Sequence, residues 1–313
     1  MSAFTATFIA VLTMLAYALP GYILIRRRMI STECIPGFSK VLLYVCQPFL
    51  AIHTFCSAEY STQMLLQILM FAGACVIVQI IMLTSFFLIF RKKGKEDVRY
   101  RIATVSTAFA NCAFFGIPII ETLLPENPEA ILFTTVYSVI MNILGWSVGS
   151  AVITDNAKYI KLKNIFINPA MFSLIIAIPF FVTGVELYPT VDNMVMILAR
   201  MSTPLSMLII GMRLATIDFR ALFGDWLVYL SIGIKQLIMP LVAFAVISLL
   251  PFETYVAQAL YIMTACPVAS IVLNFSEILG EGQKSAANSV LLGTLFSLFT
   301  LPIMSLLLPF LAR

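Results

Sequence analysis

The sequence is poor in charged residues. Only 11% of its 313 residues are Asp, Glu, Lys or Arg, whereas soluble domains contain roughly 25%. It has one histidine, and its six cysteines are scattered without the spacing of a disulfide framework or a zinc site. It also lacks a Walker-type phosphate loop, a nucleophile elbow and a zinc-protease motif. These absences argue against an enzyme, a bound metal, a cofactor and a nucleic-acid partner.

Apolar residues dominate the chain instead. They make up 61% of it, and the mean hydropathy is +1.02. A soluble core could not bury this much apolar surface, so lipid is expected to solvate much of it. Hydropathy predicts an all-α polytopic membrane protein in which residues 1–313 form one transmembrane unit. The ten predicted spans are 4–25, 36–56, 64–90, 102–124, 130–153, 165–184, 191–214, 226–250, 255–279 and 285–311.

Lysine and arginine collect in alternate loops between these spans. All but three of the 19 lie in one set of loops or within about a turn of them, as Lys40 and Arg213 do; the exceptions are Arg200 and Lys235, inside spans, and Arg313. Loops rich in Lys and Arg face the cytoplasm. The sequence therefore predicts a multi-pass protein of the cell (inner) membrane with both termini outside the cytoplasm.

Proline positions indicate an internal repeat. Prolines recur at matching places in the two halves, as the pairs Pro20 and Pro179, Pro48 and Pro204, and Pro118 and Pro267. Five spans per repeat is an odd number, so the second copy would cross the membrane in the opposite direction. The sequence thus predicts a 5+5 inverted repeat, with repeat 1 at about 4–153 and repeat 2 at about 165–311. Pro179 is expected to break the sixth helix.

Two of the predicted spans carry helix breakers near their middle. Residues 110–118 read A-N-C-A-F-F-G-I-P, and residues 264–270 read T-A-C-P-V-A-S. A pair of interrupted helices in corresponding halves is the best sequence indicator of a transporter's binding site. Half-helices that start near Pro118 and Pro267 would point their positive ends at the membrane centre and suit an anion. Freed carbonyls could instead hold a cation, and a packing kink is the structural alternative.

These interruptions supply most candidate site residues. The substrate-binding candidates are Asn111, Gly116, Pro118, Pro267, Ser270, Lys235 and Gln47, and the ion-coupling candidates are Asn274, Glu277 and Thr264. Lys235 lies too deep to reach the headgroups, so it either neutralises an anionic substrate or pairs with Glu277. Packing between helices explains Asn111 and Gln47 nearly as well.

Short motifs along nearly the whole chain resemble those of the auxin efflux carrier family. The segment S-x-A-x-A-N-C-A-F-F-G-I-P, which ends at Pro118, is similar to that family's fourth-helix signature. Segments similar to its sixth to tenth helices are N-P-A-M-F-S at 168–173, P-L-S-M-L-I-I-G-M-R-L at 204–214, K-Q-L-I-M-P at 235–240, C-P-V-A-S at 266–270 and T-L-F-S-L-F-T-L-P at 294–302. The short central loop is similar to bacterial members.

The resemblance implies a scaffold domain and a transport domain in which broken helices 4 and 9 cross. That is the NhaA-like arrangement of sodium/proton antiporters and of the bile/arsenite/riboflavin transporter-like superfamily. It also implies elevator-type secondary transport of small organic anions, mono- or dicarboxylates such as malonate or malate. Coupling to Na⁺ or H⁺ and formation of a homodimer are left open. The chain departs from the pattern at Ala113, Phe114 and Phe115, where many members have a small residue, so the pocket is expected to be reshaped.

Two alternatives remain at this point. A sodium-coupled symporter of bile-acid or sterol type would show a dense cluster of Glu, Gln and Asn behind the crossed helices. A non-transporting membrane sensor built on the same fold would carry an appended soluble domain. The partners expected for the favoured reading are a small organic anion and the lipid bilayer.

Overall fold

The computed structural model describes residues 3–156, 169–185, 187–216 and 224–311. Within these ranges the chain is helical, and its one β-type contact is an isolated bridge between Ala110 and Val268. The helices are α1 Ala3–Arg26, α2 Thr32–Cys56, α3 Thr62–Gly94, α4 Val98–Ser106, α5 Ile117–Leu123, α6 Ala130–Thr154, α7 Pro169–Thr183, α8 Pro189–Ala215, α9 Trp226–Ser248, α10 Thr254–Ala265, α11 Ile271–Leu279 and α12 Gln283–Ser305.

Seven of the described helices are long and apolar enough to cross a membrane, namely α1, α2, α3, α6, α8, α9 and α12. Three further predicted spans coincide with the shorter α7 and with two interrupted pairs, α4–α5 and α10–α11. The all-helical membrane fold is thus confirmed. The count of ten spans and the inverted repeat stay predictions. Residues 165–168, at the expected start of the sixth span, lie outside the described residues.

The expectation that Pro179 breaks the sixth helix is wrong. Helix α7 continues through Pro179, as α1 continues through Pro20 and α12 through Pro302. One proline removes a single backbone hydrogen bond, and neighbouring groups in a membrane bundle can satisfy the freed carbonyl. A true interruption requires several consecutive residues to leave helical geometry.

Other prolines follow a widened helical turn. The π turns Leu42–Cys46, Cys112–Gly116 and Ile234–Ile238 are each followed two residues later by a proline, at Pro48, Pro118 and Pro240. In the third of these turns the N–H of Met239 donates to the carbonyl of Ile234, five residues earlier. Such turns insert one extra residue and are frequent at functional sites. This one carries Lys235 and Gln236, both fully buried.

The helices pack as two groups. Helix α1 packs against α8, and α2 packs against α7 and α8; we call these four the frame helices. Helix α3 packs against α4, α6 and α9. Helix α10 packs against α6 and α9, α5 against α6, and α11 against α12; we call these helices the interrupted group. The groups meet where α1 packs against α12 and α5, and one main cluster of buried apolar side chains draws on both.

Glycines allow α1 and α8 to touch backbone to backbone. A Cβ added at Gly211 would overlap the carbonyl oxygen of Ala18, and one added at Gly21 would overlap that of Leu208. Small residues at helix crossings in membranes permit this close approach, which dispersion forces then stabilise. The frame is therefore built around a glycine crossing.

Candidate functional site

The two interruptions lie against each other. The first spans residues 107–111 between α4 and the π turn before α5, and the second spans 266–270 between α10 and α11. The N–H of Asn111 donates to the carbonyl of Pro267 at 2.8 Å, and the N–H of Ala269 donates to the carbonyl of Phe109 at 2.9 Å. Backbone groups that leave a helix must find partners where there is no bulk water. Here each interruption supplies partners for the other.

The chain leaves the first interruption through Asn111. Its carbonyl accepts the N–H groups of Phe115 and Gly116, both at 3.1 Å, and this starts the π turn. Pro118 then lies in the first turn of α5, where its missing N–H costs nothing. Gly116 and Pro118 therefore lie beyond the non-helical segment rather than in it. A Cβ at Gly116 would lie 2.7 Å from the Sδ of Met263, so the lack of a side chain at this position allows α10 to pack closely here.

Lys235 holds the second interruption. Its Nζ donates to the carbonyl of Thr264 at 2.7 Å and to that of Cys266 at 2.8 Å, and its side chain is 0% exposed. These carbonyls lie at the C-terminal end of α10, where helix geometry leaves them without intrahelical partners and the helix carries partial negative charge. The ammonium group thus supplies both hydrogen bonds and charge. The second half-helix does not start near Pro267 as expected, because α11 begins at Ile271.

Gln236, the next residue on α9, links this region to α12. Its Nε2 donates to the carbonyl of Gly293 at 2.6 Å, and its Oε1 accepts from the hydroxyl of Thr300 at 2.9 Å. Gly293 faces the second interruption, because a Cβ there would lie 3.4 Å from the backbone nitrogen of Val268. Two consecutive buried side chains of α9 therefore brace the interruption and the helix beside it.

A crevice of about 300 Å³ opens beside the two interruptions. Asn111 and Ser270 line it, one from each interruption, together with Thr294 of α12 and Arg213 of α8. The remaining lining residues are aliphatic: Ile209, Ile210, Leu214, Val290 and Leu291. Its enclosed part has room for about one water molecule. The structure thus brings together Asn111 and Ser270, and it adds an arginine that the sequence analysis assigned to a cytoplasmic loop.

The other candidate residues have different surroundings. Thr264 is fully buried and contributes its carbonyl to Lys235, while its hydroxyl donates to the carbonyl of Tyr261 at 2.7 Å. Asn274 is half-buried, one turn beyond Ser270 on α11. Gln47 is half-buried in α2 and does not line the crevice. The side chain of Glu277 lies outside the described part of the chain, so its pairing with Lys235 stays a prediction.

The described residues contain no group of three or more His, Cys, Asp and Glu side chains that could hold a metal ion. Among the described side chains beside the interruptions, the cations are Lys235, which donates to two backbone carbonyls, and Arg213, whose Nη2 donates to the Ser39 hydroxyl at 3.4 Å. An arrangement of cations, amides and hydroxyls suits an anion better than a metal.

Comparison with protein families identifies the family of the chain. A family model described as membrane transport protein matches residues 6–305. No individual curated protein matches the chain. Because the family match covers nearly the whole length of a helical protein with seven candidate membrane spans, the chain belongs to the membrane transport protein family, that of the auxin efflux carriers.

Proposed function

We propose that the protein is a secondary transporter that carries small organic anions across the cell membrane. The observation that carries this proposal is the crevice in which Asn111 and Ser270 meet, each from its own interrupted helix. Non-helical backbone at membrane depth is tolerated where it is buried in protein or lines a cavity, and paired interruptions are the usual binding-site architecture of secondary transporters.

An anionic cargo is supported by the charges around the crevice. Arg213 is the one ionisable residue among the described lining residues. The sequence resemblance points in the same direction, since it implies mono- or dicarboxylates such as malonate or malate. A carboxylate would receive hydrogen bonds from the Asn111 amide and the Ser270 hydroxyl as well as from the guanidinium group.

The mechanism that we propose is elevator-type alternating access. The crevice lies between α8 of the frame helices and the interruptions and α12 of the interrupted group. Movement of the interrupted group along the frame would carry the cargo from one membrane face to the other. The proposal includes ten spans in a 5+5 inverted repeat, because the two interrupted pairs occupy the fourth and ninth predicted spans.

Uptake into proteoliposomes tests the site. We expect Asn111→Ala and Ser270→Ala each to lower uptake of a transported carboxylate roughly tenfold, as loss of a hydrogen bond worth about 1.4 kcal/mol would do. Melting temperature should change little. Asn193→Ala and Ser248→Ala are matched controls, because both residues are exposed and neither lines the crevice. Normal uptake by both site variants would place the site elsewhere.

The same vesicles test ion coupling. We propose Asn274, Glu277 and Thr264 as the residues to examine if uptake depends on Na⁺ or on a pH gradient. Uptake of malonate, malate and a bile acid is measured with each gradient imposed or dissipated. Strictly Na⁺-dependent uptake of the bile acid alone would favour the alternative symporter reading.

Orientation is tested by cysteine labelling in intact cells. We propose that both termini face outside, which places Lys95 and the native Cys34 in the cytoplasm. Both residues are exposed in the structure, so a reagent present on their side would reach them. In a Cys34→Ser background, Lys95→Cys should react with an impermeant maleimide only after permeabilisation. Reaction in intact cells would reverse the orientation.

A further inference from the structure

We infer that the protein binds the headgroup of an anionic phospholipid in a second crevice, between α3, α4 and α6. This inference goes beyond the proposed function, because it concerns a different place in the molecule and does not depend on the cargo. The lipid crevice has a volume of about 250 Å³. Arg91 of α3, Arg101 of α4 and Asp155, just after α6, line it together with aromatic side chains that include Phe87 and Phe90.

The lipid crevice lies where the apolar surface of α3 ends. Phe87 and Leu88 are exposed apolar residues of this helix, and the basic run 91–93 follows in its last turn. Tyr100 and the exposed Trp226 lie beside it, with their ring centroids 6.4 Å apart. Tyrosine and tryptophan collect at the level of the lipid headgroups. The pattern therefore indicates that this crevice opens at headgroup depth.

Arg101 lies in the lipid crevice with hydrogen-bonding capacity to spare. Its Cγ would lie 3.1 Å from a Cβ at Gly94, so this glycine makes room for the arginine side chain against α3. Its Nε is buried and has no hydrogen-bond partner among the described residues. Buried donors without a partner are rare in proteins. A phosphate oxygen would supply an acceptor, and it would form a charge-assisted hydrogen bond with the guanidinium.

The charges at this end of the molecule select the kind of lipid. Residues 91–101 include six cations and two acids, a net charge of +4. Within the described lining, two arginines oppose the single acid Asp155. Basic pockets between membrane helices bind the headgroups of anionic lipids. The excess of positive charge favours a lipid with a net negative charge, such as phosphatidylglycerol, over zwitterionic phosphatidylethanolamine. The Phe87 and Phe90 rings would contact the first part of its acyl chains.

Quenching of tryptophan fluorescence by brominated lipids tests the inference. The full chain carries Trp146→Phe, so that the signal comes from Trp226, which is exposed and packs edge-on against Tyr100 of the crevice lining. The protein is reconstituted in vesicles that contain brominated phosphatidylglycerol or brominated phosphatidylcholine at equal mole fractions. We expect the relative affinity for phosphatidylglycerol to be roughly fivefold higher, the effect of one net positive charge at a membrane surface.

Variants of the lining arginines provide the second arm. We expect Arg91→Gln, alone or with Arg101→Gln, to remove this preference. The matched control is Lys92→Gln/Lys95→Gln, which removes two charges from the same segment at exposed positions that do not line the crevice. It should keep most of the preference. Melting temperature checks folding, and Arg91→Gln, at an exposed position, decides the question if the double arginine variant unfolds.

Two further measurements identify the headgroup. Asp155→Asn should strengthen the preference for phosphatidylglycerol, because it removes the acid from the lining. A weaker preference, accompanied by stronger quenching by brominated phosphatidylethanolamine than by phosphatidylglycerol in the wild type, would assign the crevice to an ethanolamine headgroup and overturn the inference. Soluble glycerol 3-phosphate has the phosphate without acyl chains and should leave the quenching unchanged. If it abolishes the preference, the crevice binds a soluble phosphate instead.

Two other results would overturn the inference. One is equal quenching of the wild type by brominated phosphatidylglycerol and phosphatidylcholine. The other is an equal loss of preference in Arg91→Gln and in Lys92→Gln/Lys95→Gln, which would mean that the surface charge of the whole segment attracts the lipid. None of these measurements requires transport. The proposed function is tested separately, by uptake in Asn111→Ala and Ser270→Ala.

Discussion

Two regions of the molecule bring helix backbones into direct contact by opposite means. At the crossing of α1 and α8, glycines let two unbroken helices touch. Where the interruptions meet, two helices are broken, and backbone groups without helical partners form hydrogen bonds with each other. The N–H of Asn111 donates to the carbonyl of Pro267 at 2.8 Å, and that of Ala269 donates to the carbonyl of Phe109 at 2.9 Å. The first contact depends on close packing of the two helices, and the second depends on hydrogen bonds between their backbones.

This difference separates a frame from a binding site. A glycine crossing depends on dispersion forces and close packing, and it does not require either helix to be interrupted. The paired interruptions leave polar backbone and side-chain groups at the surface of a crevice, and they require additional hydrogen bonds from a neighbouring helix to be stable. Lys235 and Gln236 of α9 donate those hydrogen bonds. Variants that remove the hydrogen bonds of Lys235 or Gln236 should therefore act differently from variants that add a side chain at the glycine crossing.

The largest effect is expected for Lys235→Met, which keeps an unbranched chain one atom shorter than lysine and removes the ammonium group. The carbonyls of Thr264 and Cys266 would be left buried without this donor, at about 1–3 kcal/mol each. We expect a loss of roughly 2–6 kcal/mol and a marked fall in melting temperature. Lys284→Met, at an exposed position at the start of α12, should melt like the wild type.

The double variant Lys235→Met/Glu277→Gln distinguishes hydrogen bonding of Lys235 to these carbonyls from an ion pair between Lys235 and Glu277. If Lys235 mainly compensates Glu277, the double variant should recover the stability and transport that Lys235→Met loses. If the carbonyls are its partners, the double variant should remain as unstable as the single one. A Lys235→Met variant that melts normally but has lost transport would instead support a direct role of Lys235 in cargo binding.

A smaller effect is expected at the glycine crossing. Gly211→Ala would place a methyl group against the carbonyl of Ala18, so α1 and α8 must separate. Overpacking of this kind costs about 1–3 kcal/mol. Gly233→Ala is the matched control, because a Cβ at that helical position meets nothing within 4 Å. It should be neutral or stabilising by up to about 1 kcal/mol. Equal melting temperatures for the two variants would contradict the crossing.

Gln236→Leu should weaken the interruption less than Lys235→Met does. It removes a hydrogen bond to the Gly293 carbonyl and one from Thr300, while Thr300 keeps its bond to the carbonyl of Phe296 at 3.2 Å. Two neutral hydrogen bonds predict a loss of about 1–2 kcal/mol. Thermal unfolding monitored by tryptophan fluorescence measures it. A loss larger than that of Lys235→Met would mean that Gln236 is the main brace.

The sequence predicted the positions of the two interruptions better than it predicted the contacts of Lys235 or the glycine crossing. The juxtaposition of Asn111 and Ser270 could be predicted because clustered helix breakers occur at matching places in the two halves of the chain. The hydrogen bonds of Lys235 could not, because a carbonyl has no sequence signature. Arg213 was grouped with the loop cations because it lies one residue from the predicted end of its span, and its role at the crevice depends on how α8 packs. Gly211 could not be paired with Ala18, because a glycine does not specify its partner.

The smallest effect is expected at the start of α4, at the opposite end of that helix from the first interruption. Asp97 caps this helix by accepting from the N–H of Arg99 at 2.9 Å. The side-chain hydrogen bonds from Arg99 lower the pKa of Asp97 below its usual value. A carboxyl group whose pKa is lower in the folded state adds stability above its unfolded pKa, near 4, and this stability is lost as pH falls through the folded value.

Asp97→Asn keeps the cap and removes the ion pair. Because the side chain of Arg99 is 50% exposed, solvent screens the pair, and we expect a loss of only a few tenths of a kcal/mol at pH 7. The difference from the wild type should shrink in high salt and as the pH falls through the folded-state pKa of Asp97. Asp97→Ala, which also removes the cap, should cost about 1 kcal/mol at pH 7 and retain part of that loss at acidic pH. Melting temperatures of the three proteins between pH 3 and pH 7 test this. A loss in Asp97→Asn as large as that in Lys235→Met would mean that the helix start, rather than the paired interruptions, controls the stability of the interrupted group.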